Sequence, residues 1–599
     1  MAIFNTLPDN LGEVDIIVAG GGTAGCVIAT RLAEADPSLT ILVVERGTNN
    51  DSPTVTYPML FLSHIMPGSP TALWYPAGPE EQLGGRSIPV STGGILGGGS
   101  SINMMTYSRG QRSDFDAWNM PGWSADGMIP YMKKFETYNG PGTPETHGYD
   151  GPVQVSRGRF INKSFEDKVI AAAAEVGYPE VQDAQSMDSI NVFERVHRYV
   201  SKDGKRQDAA TCYLHPLLQS GKCPNLHVLL ETQVVRVLFD ETKRASGVEI
   251  RPTPEFQGKD GLIKTVSARK LVIVSAGAVA TPALLERSGV GSRDILEKAG
   301  VKVVADNKGV GMEYHDHVLA LASYYSSLEP SETLDSLSGG RLNVPELMEK
   351  SDPVLDWTVQ DTTSKLRPTD AEVEMLGEDF KKAWDQHFKD IPTKPVVAIT
   401  SIAGWPGNPA DVPVGQYIST TSFTTHPYSY GHVHITGPSL DDPLDFHTGI
   451  FKNPLDCKCL MWAFKKQREI IRRLDCYRGE LEIAHPVYSE ISNARSIKLD
   501  APLPRPVKDI EYTAEDDAVL EAWLYKTVAN AWHSIGTCKM APEDKGGAVD
   551  GSLNVYGVSG LKLADLSIAP GNISANTANT AFAVGEKAAA IFIAELGLE

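Results

Sequence analysis

The sequence predicts an α/β fold joined to an α+β lobe: a Rossmann-like dinucleotide-binding part, discontinuous along the chain, beside a sheet-and-helix part. Three observations carry this reading. The N-terminal segment has the pattern strand, helix, strand. A glycine pattern sits at its first junction, and 599 residues exceed what one hydrophobic core usually fills.

VDIIVAG (14–20) is a continuous apolar run of strand length, TAGCVIATRLAEA (23–35) has helical apolar spacing, and LTILVVE (39–45) is a second buried strand. Gly20, Gly22 and Gly25 satisfy G-x-G-x-x-G where the first strand meets the helix, with Thr23 and Ala24 opening that helix. The first glycine allows a tight turn, the second lets the backbone approach a pyrophosphate, and the third permits close helix-to-strand packing. Backbone N–H groups and the positive helix end then make an anion site. Glu45, followed by Arg46, ends the second strand 20 residues after Gly25. A carboxylate there accepts both hydroxyls of an adenosine ribose and repels a 2′-phosphate. These residues point to a dinucleotide and leave NAD and FAD both open.

Further strands are expected at 226–239, 245–251 and 265–275, with a helix from Pro282 to about Arg287. LDCKCLMWAFKKQREIIRRLD (455–475) and EDDAVLEAWLYKTVAN (515–530) have amphipathic helical spacing. QYISTTSFTT (416–425) and HVHIT (432–436) read as the two strands of a hairpin around Pro-Tyr-Ser-Tyr-Gly. Residues 11–139, 200–318 and 531–599 are expected to form the dinucleotide-binding domain. Residues 140–199 and 319–530 are expected to form the substrate-binding domain.

Composition narrows the partners. The 42% hydrophobic and 22% charged residues are those of a soluble globular protein. With 55 basic against 75 acidic residues, a net charge of −20 gives no general support to nucleic acid or an anionic membrane as partner. MAIFNTLPDNLG lacks a charged n-region followed by an apolar h-region, and no run of about 18 apolar residues occurs. Seven cysteines, an odd number, fit a reducing compartment better than a disulfide framework. An intracellular location, cytoplasmic or peroxisomal, is expected, although ELGLE is not a Ser-Lys-Leu type of address.

Four blocks settle the cofactor by resemblance. GGILGGGSSINMMTYSRG (93–110), GAVATPALLERSGVG (277–291), AWHSIGTC (531–538) and DLSIAPGNISANTANTAFAVGEKAA (565–589) stand in the order found in glucose-methanol-choline (GMC) oxidoreductases, FAD enzymes that oxidise alcohols. The second block carries that family's signature at Gly277, Thr281, Pro282, Ser288, Gly289 and Gly291. The resemblance is greatest to fungal and yeast short-chain alcohol oxidases, through Asn103-Met104-Met105, Trp532-His533 and Asn576-Thr577. It departs from the yeast enzymes in lacking a long insertion before EYTAEDD (511–517) and their extended tail, so the resemblance does not by itself imply their large oligomer, their peroxisomal location or their preference for methanol. A homo-oligomer remains open.

The resemblance implies FAD as cofactor, a small alcohol as substrate and O₂ as electron acceptor. It implies that Gly97, Gly98, Ser101, Asn103, Met104 and Met105 line the isoalloxazine and pyrophosphate. Val234 then meets the adenine, Asp565 the ribityl or pyrophosphate, Thr577 the pyrimidine edge, and Trp532 the flavin edge or pocket wall. His533 stands at the family's base and Asn576 at its usual partner. Alcohol oxidation removes a hydride from carbon and a proton from oxygen. A hydroxyl near pKa 15.7 and an imidazole near 6.5 differ by about nine units, on the order of 12 kcal/mol if the alkoxide formed unaided. Proton and hydride loss are therefore expected to be closely coupled, or the alkoxide strongly stabilised.

A dehydrogenase with another acceptor, a GMC-fold hydroxynitrile lyase and an NAD-binding regulatory module are the rival readings. Ser534 beside His533 lacks the G-x-S-x-G of a nucleophile elbow. His432 and His434, and the C-x-C of Cys457 and Cys459, do not make a four-ligand zinc spacing, so no structural metal is expected. His315 and His317 of GMEYHDH are expected to serve in structural hydrogen bonding.

Overall fold

The computed structural model describes residues 3–258 and 261–598. Residues 1–2 and 599, on which the readings of the chain ends partly rest, lie outside the described residues. Two large sheets organise the chain. The first has eight strands in the order Ile3–Phe4, Leu226–Leu229, Ile41–Val44, Glu13–Ala19, Lys264–Val274, Ala245–Pro252, Thr232–Phe239, with Leu561–Leu563 added beside Lys264–Val274. Its centre is parallel, and its far edge is an antiparallel meander. The central residues Ile16, Ile17, Val18, Ile41, Leu42 and Val43 are fully buried, as a parallel strand covered on both faces requires.

Helix Thr23–Ala35 follows strand Glu13–Ala19, and helix Ala578–Leu596 packs on it. The approach is close: a Cβ at Gly585 would stand 3.1 Å from Cα of Ala24. Both helix N-termini consequently meet one cavity at the carboxyl ends of the parallel strands, where open α/β sheets bind ligands.

The second sheet is antiparallel, ordered Tyr477–Glu480, Val318–Ser326, Tyr417–Thr424, Val397–Ile402, Gln360–Lys365, Val192–Arg195. Ala529–Asn530 pairs with the start of Val318–Ser326. One face is backed by helix Leu455–Ile471; the other faces the cavity with Leu319, Leu321, Thr421 and Phe423. Among the described residues, no helix is long and apolar enough to cross a membrane.

Several expected boundaries move for physical reasons. The segment 226–239 is two strands, because Glu231 takes a left-handed φ of +53° and carries the chain past Glu45 to the opposite edge of the sheet. The helix expected from Pro282 begins at Gly277. Pro282 removes the N–H that would bond the carbonyl of Ala278, and Oγ1 of Thr537 donates to that carbonyl instead, at 2.6 Å. The later helices end at Ile471 and Thr527, and the residues after Thr527 turn into an edge strand.

The hairpin at 416–436 is not formed. Tyr417–Thr424 lies inside the second sheet, whereas Gly431–Ile435 pairs with Met312–Tyr314 and Leu444–His447 in a separate three-stranded sheet. Alternation specified two strands but not their partners, which lie far away in the sequence.

Candidate active site

A cavity of about 1210 Å³ runs from the glycine turn of the first sheet to the exposed face of the second. Gly20, Gly22, Thr23, Ala24, Glu45, Arg46, Gly98, Asn103, Met104, Met105, Val234, Trp532, His533, Asp565, Asn576 and Thr577 all line it. Gly25, Gly97 and Ser101 do not reach its wall. A Cβ on Gly25 would stand 2.1 Å from the carbonyl oxygen of Gly20, so Gly25 works in helix-to-strand packing. Gly97 and Ser101 hold the second glycine turn from behind: Oγ of the fully buried Ser101 donates to Leu96, and the carbonyl of Gly97 accepts from Ser100 and Thr23.

The dinucleotide end fits its ligand. A Cβ on Gly99 or Gly277 would meet nothing within 4 Å, and one on Gly22 only the Ser275 carbonyl oxygen at 3.8 Å, so glycine leaves this floor open to a large planar or phosphorylated group. Helix Thr23–Ala35 has no side-chain cap, and its first-turn N–H groups face the cavity. The Glu45 carboxylate accepts from Gly21 N–H at 2.9 Å and Gly47 N–H at 2.8 Å, and each oxygen keeps a second acceptor position for a ribose. Burial raises its pKa against the pull of those amides. Asp565 is fixed by Gly277 N–H, Thr281 Oγ1 and Ser567 N–H.

At the other end, His533 and Asn576 meet at 3.2 Å, Nε2 to Nδ2. They come from two separate C-terminal segments that the fold brings together. Ser108 holds the amide of Asn576: its Oγ accepts from Asn576 N–H at 2.8 Å and donates to Oδ1 at 3.1 Å. Nδ2 is thereby turned toward His533 as a donor. On the opposite edge of the ring, Nδ1 of His533 lies 2.8 Å from Nδ1 of His317, whose Nε2 lies 2.8 Å from the carbonyl oxygen of Ile573.

The 2.8 Å contacts of that chain are satisfied by the following assignment of protons. A carbonyl only accepts, so His317 carries its proton on Nε2, and its Nδ1 must accept. His533 therefore donates from Nδ1, and its Nε2 holds a lone pair, which the Asn576 N–H meets. Burial keeps both rings neutral: His533 is pushed down to about 4, and His317 falls well below the ordinary imidazole range.

Sequence spacing did not single out the residues that brace this ring. Asp316 Oδ1 accepts from the backbone N–H of His533 at 2.8 Å, and its other oxygen accepts from Tyr314, whose hydroxyl also meets Ser534 at 2.9 Å. Burial raises the Asp316 carboxyl to about 7. Residues 313–317 run antiparallel to 531–535, so GMEYHDH is a splint for AWHSIGTC. Phe423 crosses the His533 ring edge-to-face at 5.7 Å. Trp532 and Met105, both lining the cavity, hold left-handed φ values of +58° and +56°, a strain of about 1–3 kcal/mol each that concentrates at functional sites.

His315 pairs through its backbone with Ile535, and His317 reaches the His533 ring directly. All seven cysteines are free. His432, Asp445 and His447 offer ligand atoms within 4.8 Å of one another on adjacent strands, half-buried and away from the cavity wall. Three donors of that kind could hold a metal ion.

A glycine-floored dinucleotide cleft that ends on a neutral imidazole and an apolar sheet is the site of a nucleotide-dependent oxidoreductase. GMC oxidoreductase family models match residues 14–319 and 427–585. The chain is 35% identical to an alcohol oxidase of Candida boidinii, over 98% of this chain and 95% of that one. It is 33% identical to an alcohol oxidase of Pichia angusta, over 99% and 96%. Among solved structures, formate oxidase of Aspergillus oryzae superposes with a TM-score of 0.82 at 22% identity, covering 98% of this chain and 99% of that one. An FAD-dependent oxidoreductase of Chaetomium thermophilum gives 0.79 at 25% identity, covering 98% and 100%. The chain belongs to the GMC oxidoreductase family, and it is a flavin-dependent oxidase with FAD as its cofactor.

Proposed function

We propose that this enzyme oxidises a primary alcohol to the aldehyde and passes the electrons to O₂, giving RCH₂OH + O₂ → RCHO + H₂O₂, with His533 as the base. FAD, when bound, supplies the two-electron acceptor for the hydride that leaves the carbinol carbon. The observation that carries the reading is the hydrogen-bonded chain from the Ile573 carbonyl through His317 and His533 to Asn576, from which we infer a lone pair on Nε2 of His533 at the cavity wall. The names of the two yeast relatives agree with it.

In this reading the substrate oxygen sits against both Nε2 of His533 and Nδ2 of Asn576, and its O–H takes over the lone pair that the Asn576 N–H meets at 3.2 Å. Asn576 donates to the oxygen without competing for its proton, and His533 accepts that proton. The charge arriving on His533 spreads toward His317 through the shared Nδ1 proton. The open N-terminus of helix Ala578–Leu596 places N–H groups where negative charge collects. Binding of FAD falls to Gly20, Gly22, Gly98, Glu45, Val234, Asp565 and Thr577, in a domain formed by 11–139, 200–318 and 531–599.

The test is anaerobic mixing of the purified yellow enzyme with primary alcohols, followed by peroxide counting in air. Bleaching near 450 nm and one peroxide per aldehyde are expected. Bleaching without peroxide would mean a different electron acceptor, and no bleaching would remove the base assignment.

A further inference from the structure

The cavity-facing side of the second sheet has a composition that the proposed chemistry at His533 does not require. On Val318–Ser326 and Tyr417–Thr424 the register pairs Leu319 with Phe423 and Leu321 with Thr421. On the next strand Ile402 faces Ser419, two residues from Thr421, and beyond it Gln360 pairs with Ile402. Side chains of directly paired residues share a face, so these six residues form one continuous wall across four strands. At about 4.8 Å between neighbours, the wall is about 14 Å wide.

Its polar members are few, and two of their oxygens are engaged within the protein. Oγ1 of Thr421 meets Oγ1 of Thr400 at 2.6 Å, and Oε1 of Gln360 accepts from Thr106. No charged side chain of this sheet lines the cavity; its charged liners, Glu45, Arg46, Arg251, Glu255 and Arg287 among them, all lie around the dinucleotide end. A sugar alcohol would leave hydroxyls without partners here, and a cationic or carboxylated alcohol would find no counter-charge. Methanol would fill only the corner beside His533.

Resting on the reading that His533 receives an alcohol, we propose that the substrate is a primary alcohol with an extended apolar body, an aliphatic chain of several carbons or an aromatic ring. Its hydroxyl lies at His533 and Asn576, and its apolar part lies along Leu319, Leu321, Ile402 and Phe423. Each methylene that leaves water for this wall adds to transition-state binding as long as the wall continues.

The experiment is anaerobic flavin reduction of the holoenzyme by methanol, ethanol, butan-1-ol, hexan-1-ol, benzyl alcohol, choline and glucose. The second-order rate constant is expected to rise up to about fourfold per methylene from methanol to hexanol, with benzyl alcohol among the fastest and with choline and glucose slowest. In Leu321→Asn the slope with chain length should flatten, the rate constants for butan-1-ol and hexan-1-ol falling relative to that for methanol. A rate highest for methanol and falling with length, or highest for choline or glucose, would overturn the inference and leave the base assignment standing. Absence of bleaching by every compound would instead strike the base assignment, and the two failures are told apart by that difference.

Discussion

Nδ1 of His317 and Nδ1 of His533 lie 2.8 Å apart and share one proton. The proton belongs to His533 because His317 spends its own on the Ile573 carbonyl. An imidazole whose tautomer is set by its outer nitrogen has its inner nitrogen free for chemistry. His317→Phe removes the acceptor and lets His533 protonate Nε2. Flavin reduction is expected to slow by part of the 10²–10⁴-fold that positioned acid–base catalysis contributes, about 10- to 100-fold, with FAD retained. His317→Gln, able to accept from one neighbour and donate to the other, should recover much of the loss. Anaerobic stopped-flow absorbance checks both, and equal rates in His317→Phe and the unmodified enzyme would dissociate His317 from the base.

Removing the base itself should cost more. His533→Ala is expected to keep its FAD and lose about 10²–10⁴-fold in flavin reduction, because Gly20, Gly22 and Glu45, proposed to hold the cofactor, belong to the glycine turn and strand end of the first sheet. The absorption spectrum reports the first expectation and single-turnover reduction the second.

The glycines of the first turn separate folding from binding. Gly22 lines the cavity with room for a Cβ, its nearest neighbour being 3.8 Å away, whereas a Cβ on Gly25 would stand 2.1 Å from a backbone oxygen. Gly22→Val should therefore yield folded protein that has lost its yellow colour. Gly25→Val should fail earlier, as low soluble yield with a lowered melting temperature. Circular dichroism and the flavin-to-protein absorbance ratio distinguish the two.

The first sheet was largely legible because its information is local. The apolar run 14–20, the glycines and the run 39–45 each specify structure within a few residues, and their parallel pairing follows from the intervening helix. The second sheet was less so. Nothing in QYISTTSFTT names Val318–Ser326 and Val397–Ile402 as its partners, and the short loop to HVHIT suggested the wrong one. The site divides in the same way. His533 and Asn576 were singled out through the resemblance of the blocks around them, and the structure sets them 3.2 Å apart. The contact of His317 with His533 joins residues 216 positions apart, and the apolar wall arises from register across four strands. Periodicity gives the face on which a residue lies, not the residue that will face it.

The last prediction concerns pH. His533 is held near 4 by burial, below the ordinary imidazole value of 6.5, so the neutral form that can accept a proton persists from neutrality down to about pH 4. The rate of flavin reduction should be level between about pH 5 and 8 and fall as pH drops through 4, the sign expected of a base lost on protonation. Asn576→Asp places a carboxylate where the amide now meets Nε2 at 3.2 Å. An adjacent negative charge favours imidazolium, so the acid limb should move up by about 1–3 units, and the rate at pH 7 should fall because the substrate oxygen loses its donor. Stopped-flow reduction across about pH 3–9 on both proteins gives the two limbs directly. An unshifted limb in Asn576→Asp would mean that some group other than His533 governs the titration.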